Sequence, residues 1–77
     1  MMSVRLNKSK NLPKISKREQ QVLDLLIEGL SSLEIAEELS ISFETVRTHR
    51  KNLFVKYKVT SVGQLVNLVL KTNLFKL

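Results

Sequence analysis

The sequence predicts an all-α domain of four helices. Three observations carry that expectation: helix start codes recur along the chain, apolar residues fall at helical rather than alternating spacing, and no turn pair joins two alternating runs into a hairpin. Ser16 stands three residues before Glu19, Ser31 three before Glu34 and Ser61 three before Gln64. In each pattern the serine oxygen is placed to accept from the third helical N–H, and the Glu or Gln to return the bond. A fourth start, Ser42, is flanked by Ile41 and Val46 at the spacing of a hydrophobic staple, which Leu30 and Ile35 repeat.

The elements follow in order. Residues 1–14 are polar and basic, hold Asn7, Ser9, Asn11 and Pro13, and read as a flexible arm or linker before a domain over 15–77. The first helix is expected over 17–28, with Val22, Leu23, Leu26 and Ile27 as its apolar stripe and Gly29 as its stop. A second, two turns long, is expected over 32–39. Its Leu33, Ile35, Ala36 and Leu39 face inward, and Glu34, Glu37 and Glu38 face water. The third covers 43–57 and the fourth 62–71, followed by a tail over 72–77.

Composition excludes several functions. A chain of 77 residues makes one domain with a thin core. Without cysteine there is no disulfide, thiolate metal site or cysteine nucleophile, and the single histidine, His49, forms no cluster for zinc. One imidazole, scattered acids and no phosphate-cradling glycine loop argue against an enzyme, so no cofactor, metal or small-molecule substrate is expected. No apolar run approaches the roughly 18 residues of a membrane span, and no signal-peptide block follows the basic N-terminus; a cytoplasmic protein is expected.

The 13 Lys and Arg and seven Asp and Glu are sorted along the chain. Residues 1–18 hold Arg5, Lys8, Lys10, Lys14, Lys17 and Arg18 and no acid. Residues 19–46 hold every acid and no Lys or Arg, and 47–77 again carry bases alone. Such blocks point to a basic surface aimed at a polyanion.

The connection Leu39-Ser40-Ile41-Ser42, between a short helix and a longer one, is that of a helix-turn-helix, whose second helix lies in the DNA major groove. With Val46 as zero and about 100° per residue, Phe43, Arg50, Leu53 and Tyr57 share the inward side. Glu44, Arg47, Thr48 and Lys51 share the opposite one, at about 100–200°. Arg and Lys suit guanine O6 and N7, Thr48 a base edge or thymine methyl, and Glu44 cytosine N4. Thr45, His49 and Asn52 flank this face and suit phosphates. Arg50 is expected to snorkel or to pair with an acid such as Glu19. Val55 points outward without an evident partner.

Ser16-Lys17-Arg18-Glu19 with Val22-Leu23, Glu28-Gly29-Leu30-Ser31, Glu34-Ile35-Ala36, Leu39, Ile41-Ser42, Thr45-Val46-Arg47, His49 and Lys51-Asn52 form an ordered set. On these, residues 15–72 resemble the LuxR/GerE-type helix-turn-helix domain of bacterial transcription regulators, including response-regulator output domains. The resemblance implies double-stranded DNA as partner, with Arg47, Thr48 and Lys51 on bases and Thr45, His49 and Asn52 near phosphates. Ser16, Lys17, Lys56 and Lys58 join the expected phosphate set. It also implies dimerisation through the fourth helix, and contact with RNA polymerase is common in the family. Two positions depart from the pattern: Lys58 and Ser40 stand where glycine is usual.

In the fourth helix Val62, Leu65, Val66 and Val69 form one face, which Leu68 and Leu70 widen, with Leu74, Phe75 and Leu77 beyond. The excess predicts a two-fold homodimer, possible on DNA alone, that sets two third helices about 10 bp apart on an inverted repeat. The alternatives are a sigma-factor-like promoter-reading domain and a protein-interaction module that never meets DNA.

Overall fold

The computed structural model describes residues 12–76, with side chains through residue 72. Among the described residues stand four helices: α1 (Lys17–Ile27), α2 (Ser32–Leu39), α3 (Phe43–Tyr57) and α4 (Val62–Lys76). Of the expected arm, residues 1–11 lie outside the described residues, as do Leu77 and the side chains of Leu74 and Phe75.

The start codes act as their chemistry requires. Ser16 Oγ accepts from Glu19 N–H at 3.0 Å while Ser16 N–H donates to Glu19 Oε1 at 2.9 Å. Ser31 and Glu34 repeat the exchange at 3.2 and 2.8 Å. The third pair is only half formed. Gln64 N–H donates to Ser61 Oγ at 3.2 Å, but the Gln64 carbonyl turns to Thr60, accepting from its N–H at 2.9 Å and its hydroxyl at 3.2 Å.

One device ends the first three helices. Leu30 N–H reaches back to Leu25 C=O and Gly29 N–H to Leu26 C=O; Ile41 and Ser40 do the same to Ala36 and Glu37, and Val59 and Lys58 to Phe54 and Val55. These paired back-bonds need a left-handed residue at the exit. Gly29 takes it with φ 96°, Ser40 with φ 57° and Lys58 with φ 58°. The corners that usually rely on glycine are thus made by serine and lysine, against the Cβ clash that disfavours this region.

The core is Val22, Leu23 and Leu26 of α1, Ile35 and Ala36 of α2, Val46 and Leu53 of α3 and Leu65 of α4. Small Ala36 lies where α2 meets the longer helix, and both staples close over it, with Ile41 and Leu30 packed on the cluster beside buried Val46 and Ile35. α3 packs on both α1 and α2, and α4 closes against α1 and α3. This arrangement fixes α3 from behind and leaves its far side open.

Some expectations change. α1 stops at Ile27 because Glu28 already serves its cap. α4 runs five residues past the expected end, since nothing after Lys71 breaks a helix and Thr72 Oγ1 donates back to Leu68 C=O at 2.9 Å. Leu33 is 60% exposed rather than inward, because it lies about 160–200° around α2 from Ile35 and both cannot face one core. Phe43 is 41% exposed; at the first turn of α3 its ring leans toward Arg47 instead of the core.

Candidate nucleic-acid interface

The outer face of α3 starts from its cap. Ser42 Oγ accepts from Thr45 N–H at 3.0 Å and shares a hydrogen bond with Thr45 Oγ1 at 2.8 Å, so Thr45 is partly engaged in holding the helix start. Beyond it Glu44, Arg47, Thr48 and Lys51 are all exposed, on the side away from buried Val46 and Leu53. Arg47 Nη1 lies 3.5 Å from Glu44 Oε2, and its guanidinium carbon 6.0 Å from the centre of the Phe43 ring. Both charged groups are open to water, so the pair is weak and the guanidinium is available to a stronger acceptor. Thr48 Oγ1 donates to Glu44 C=O at 3.1 Å, leaving its oxygen lone pairs and methyl outward. Among the described residues no hydrogen bond or ion pair engages the Lys51 ammonium.

The flanks differ from one another. Asn52 is exposed, whereas His49 is half-buried, with Nδ1 shielded from solvent and without a hydrogen-bond partner among the described residues. Arg50 turns inward as expected, but to a different partner. Its Nη1 donates to Ser32 Oγ at 2.8 Å and its guanidinium stacks 5.6 Å from the Phe54 ring. This ties the middle of α3 to the first turn of α2.

Glu19 is taken by Lys56 instead, at 2.8 Å. Only 5% of Glu19 is exposed, and one oxygen receives both the Lys56 ammonium and the Ser16 N–H. The Lys56 hydrogen bond, then the Ser16 N–H, hold this carboxyl below its usual range, against the opposing effect of burial. Lys56 therefore does structural duty, and its charge is largely answered within the fold. The same bond draws the start of α1, with Ser16 and exposed Lys17, alongside the second half of α3. Exposed Lys58 lies at the exit of that helix. Sequence spacing missed both long-range pairs, Arg50–Ser32 and Lys56–Glu19, because partners 18 and 37 residues apart leave no local pattern.

The apolar face of α4 divides in two. Leu65 is wholly buried in the domain's own core, so it has no surface left for a second copy. Val62 and Val69 pack against the same core. Val66 is half-buried, and Leu68 and Leu70 are exposed at 36% and 44%. Gly63 is exposed on the outer side with open space where a Cβ would stand, its nearest neighbour being Ser61 Oγ at 4.0 Å.

Among the described residues no helix is long and apolar enough to cross a membrane, and no group of His, Cys, Asp and Glu is placed to hold a metal.

Comparison with known proteins bears on this surface. The family described as bacterial regulatory proteins, luxR family, matches residues 13–69. The response regulator protein TmoT of Ectopseudomonas mendocina is 50% identical over 52 residues, which cover 68% of this chain and 24% of that protein. The transcriptional regulatory protein TdiR of Thauera aromatica is 40% identical over 60 residues, 78% of this chain and 26% of its own. FixJ of Azorhizobium caulinodans, also a transcriptional regulatory protein, is 41% identical over 61 residues, 79% and 29% respectively. The chain spans about a quarter of the length of these relatives.

Proposed function

Because the chain belongs to the luxR family of bacterial regulatory proteins, we propose that it is the DNA-reading output part of a transcription regulator, with α3 in the major groove. The observation that carries this is the outer stripe of α3: Glu44, Arg47, Thr48 and Lys51 project together from a helix anchored behind by Val46, Leu53 and the Arg50–Ser32 bond. Arg47 and Lys51 donate to guanine, Thr48 meets a base edge or methyl, and Glu44 accepts from cytosine. Asn52, Thr45, His49, Ser16, Lys17 and Lys58 lie along the flanks and neutralise or bind phosphates. Lys56 contributes to this set indirectly, by holding the start of α1 in place through Glu19.

Two copies bind an inverted repeat through the outer side of α4, with Val66, Leu68 and Leu70 at the contact and Gly63 allowing close approach. A two-fold axis there sets the two α3 helices about 10 bp apart. Regulation of transcription in the cytoplasm, with a contact to RNA polymerase, completes the reading.

The test is selection from random duplexes with the 77-residue chain at two salt concentrations. An enriched inverted repeat supports both the reading face and the dimer; enrichment of a single asymmetric site rejects the dimer alone. Lys51→Ala should weaken binding and relax preference at one or two base positions, by about 1–3 kcal/mol. Asn52→Ala should lower affinity alike on all sequences. An equal loss for Lys51→Ala on every sequence refutes its base contact.

A further inference from the structure

Val55 is the most exposed large apolar side chain on α3, at 68%, and among the described residues it takes no part in the core cluster. It continues the reading stripe: positions 44, 48, 51 and 55 follow the i, i+4, i+7, i+11 spacing and fall within about 60° of one another around the helix. Arg47, itself set to donate to a base, stands at one margin of that stripe, and Thr45 and Asn52, set toward phosphates, stand at the other, all of them exposed. A helix that turns Glu44, Thr48 and Lys51 to the groove floor turns Val55 there too, because it falls between Lys51 and Thr48 around the axis. There the one feature an aliphatic side chain can recognise is the C5-methyl of thymine, because every other base edge in the major groove presents hydrogen-bonding atoms.

We propose that Val55 is a specificity-determining residue that packs on a thymine methyl and so extends the half-site beyond the pairs reached by Lys51. The inference rests on the reading of α3 as the DNA-facing helix. With a rise of about 1.5 Å per residue, Val55 lies about 6 Å along the axis from Lys51, which places its thymine about two base pairs further on. A charged or amide side chain at 55 would hydrogen-bond there or reach for phosphate; valine makes the position one that prefers thymine by shape and apolar contact alone.

The experiment uses the full 77-residue chain on a duplex enriched by random-sequence selection, with each thymine replaced singly by deoxyuridine. That replacement removes only the methyl. One thymine in each half-site should bind about fourfold more weakly as deoxyuridine, the factor that burying one methyl-sized group is worth. Val55→Ala should bind the thymine and deoxyuridine duplexes equally at that position. Alanine favours helix at an exposed site, so the variant keeps the fold. Lys51→Ala, measured in parallel, should keep the methyl effect while losing preference elsewhere. If no thymine shows a methyl effect that depends on Val55 while Lys51→Ala still alters base preference, the proposal is overturned and the DNA reading stands. If Lys51→Ala changes no preference either, the reading of α3 fails, and this inference with it.

Discussion

Lys58 and Ser40 make helix exits in a backbone region that costs an L-residue about 1–2 kcal/mol. Glycine enters it freely and offers the same N–H for the back-bonds to Val55 and Glu37. Its own penalty is the extra freedom lost on folding, about 0.5–1 kcal/mol. Lys58→Gly and Ser40→Gly should therefore each stabilise the domain by about 0.5–1 kcal/mol. The two corners share no partner, so the double variant should approach the sum. In a domain of this length about 1 kcal/mol moves the midpoint by about 4–8 °C, so single variants should melt a few degrees higher by circular dichroism. The function separates them. Lys58→Gly removes a cation from the proposed phosphate set, so the slope of log affinity against log salt should fall by about one phosphate's worth, 0.9. Ser40→Gly should leave that slope alone. A lower melting temperature in either variant would show that the left-handed conformation carries no cost here, and the account of the corners would be wrong.

Other outcomes follow from the same contacts. Glu19→Gln keeps an acceptor for Ser16 and Lys56 but drops the charge, and should cost about 1 kcal/mol at neutral pH, since Lys56 is partly in water. Because the folded-state pKa of Glu19 is lowered, its contribution is full above the unfolded value of about 4.3 and fades as pH falls through the folded one. Urea midpoints of the two proteins should thus converge toward pH 3, and a gap that stays constant refutes the ion-pair explanation. Gly63→Ala should raise thermal stability by about 0.5–1 kcal/mol, because a helical glycine is replaced where a Cβ has room. If α4 helices meet closely there, binding to an inverted-repeat duplex should weaken at the same time; unchanged cooperativity on such a duplex would remove Gly63 from the contact.

Much of this protein was legible locally. Ser16, Ser31 and Ser42 announce helix starts because a cap needs only three or four consecutive positions, and the outer stripe of α3 follows from a period of 3.6 residues. Those signals determined four helices, a tight corner between the second and third, and which side of the third is polar. The tertiary structure decided what depends on which helix lies beside which. Leu65 is core rather than interface because α1 and α3 both pack on α4 from one side, and no periodicity tells an inner apolar stripe from an outer one. Lys56 answers Glu19 instead of staying free because α1 delivers a buried carboxylate to it, and Arg50 finds Ser32 because α2 crosses there. Charge and periodicity are properties of a chain, and its sequence determined them; the partner that neutralises a charge or covers an apolar stripe is a property of the packed domain.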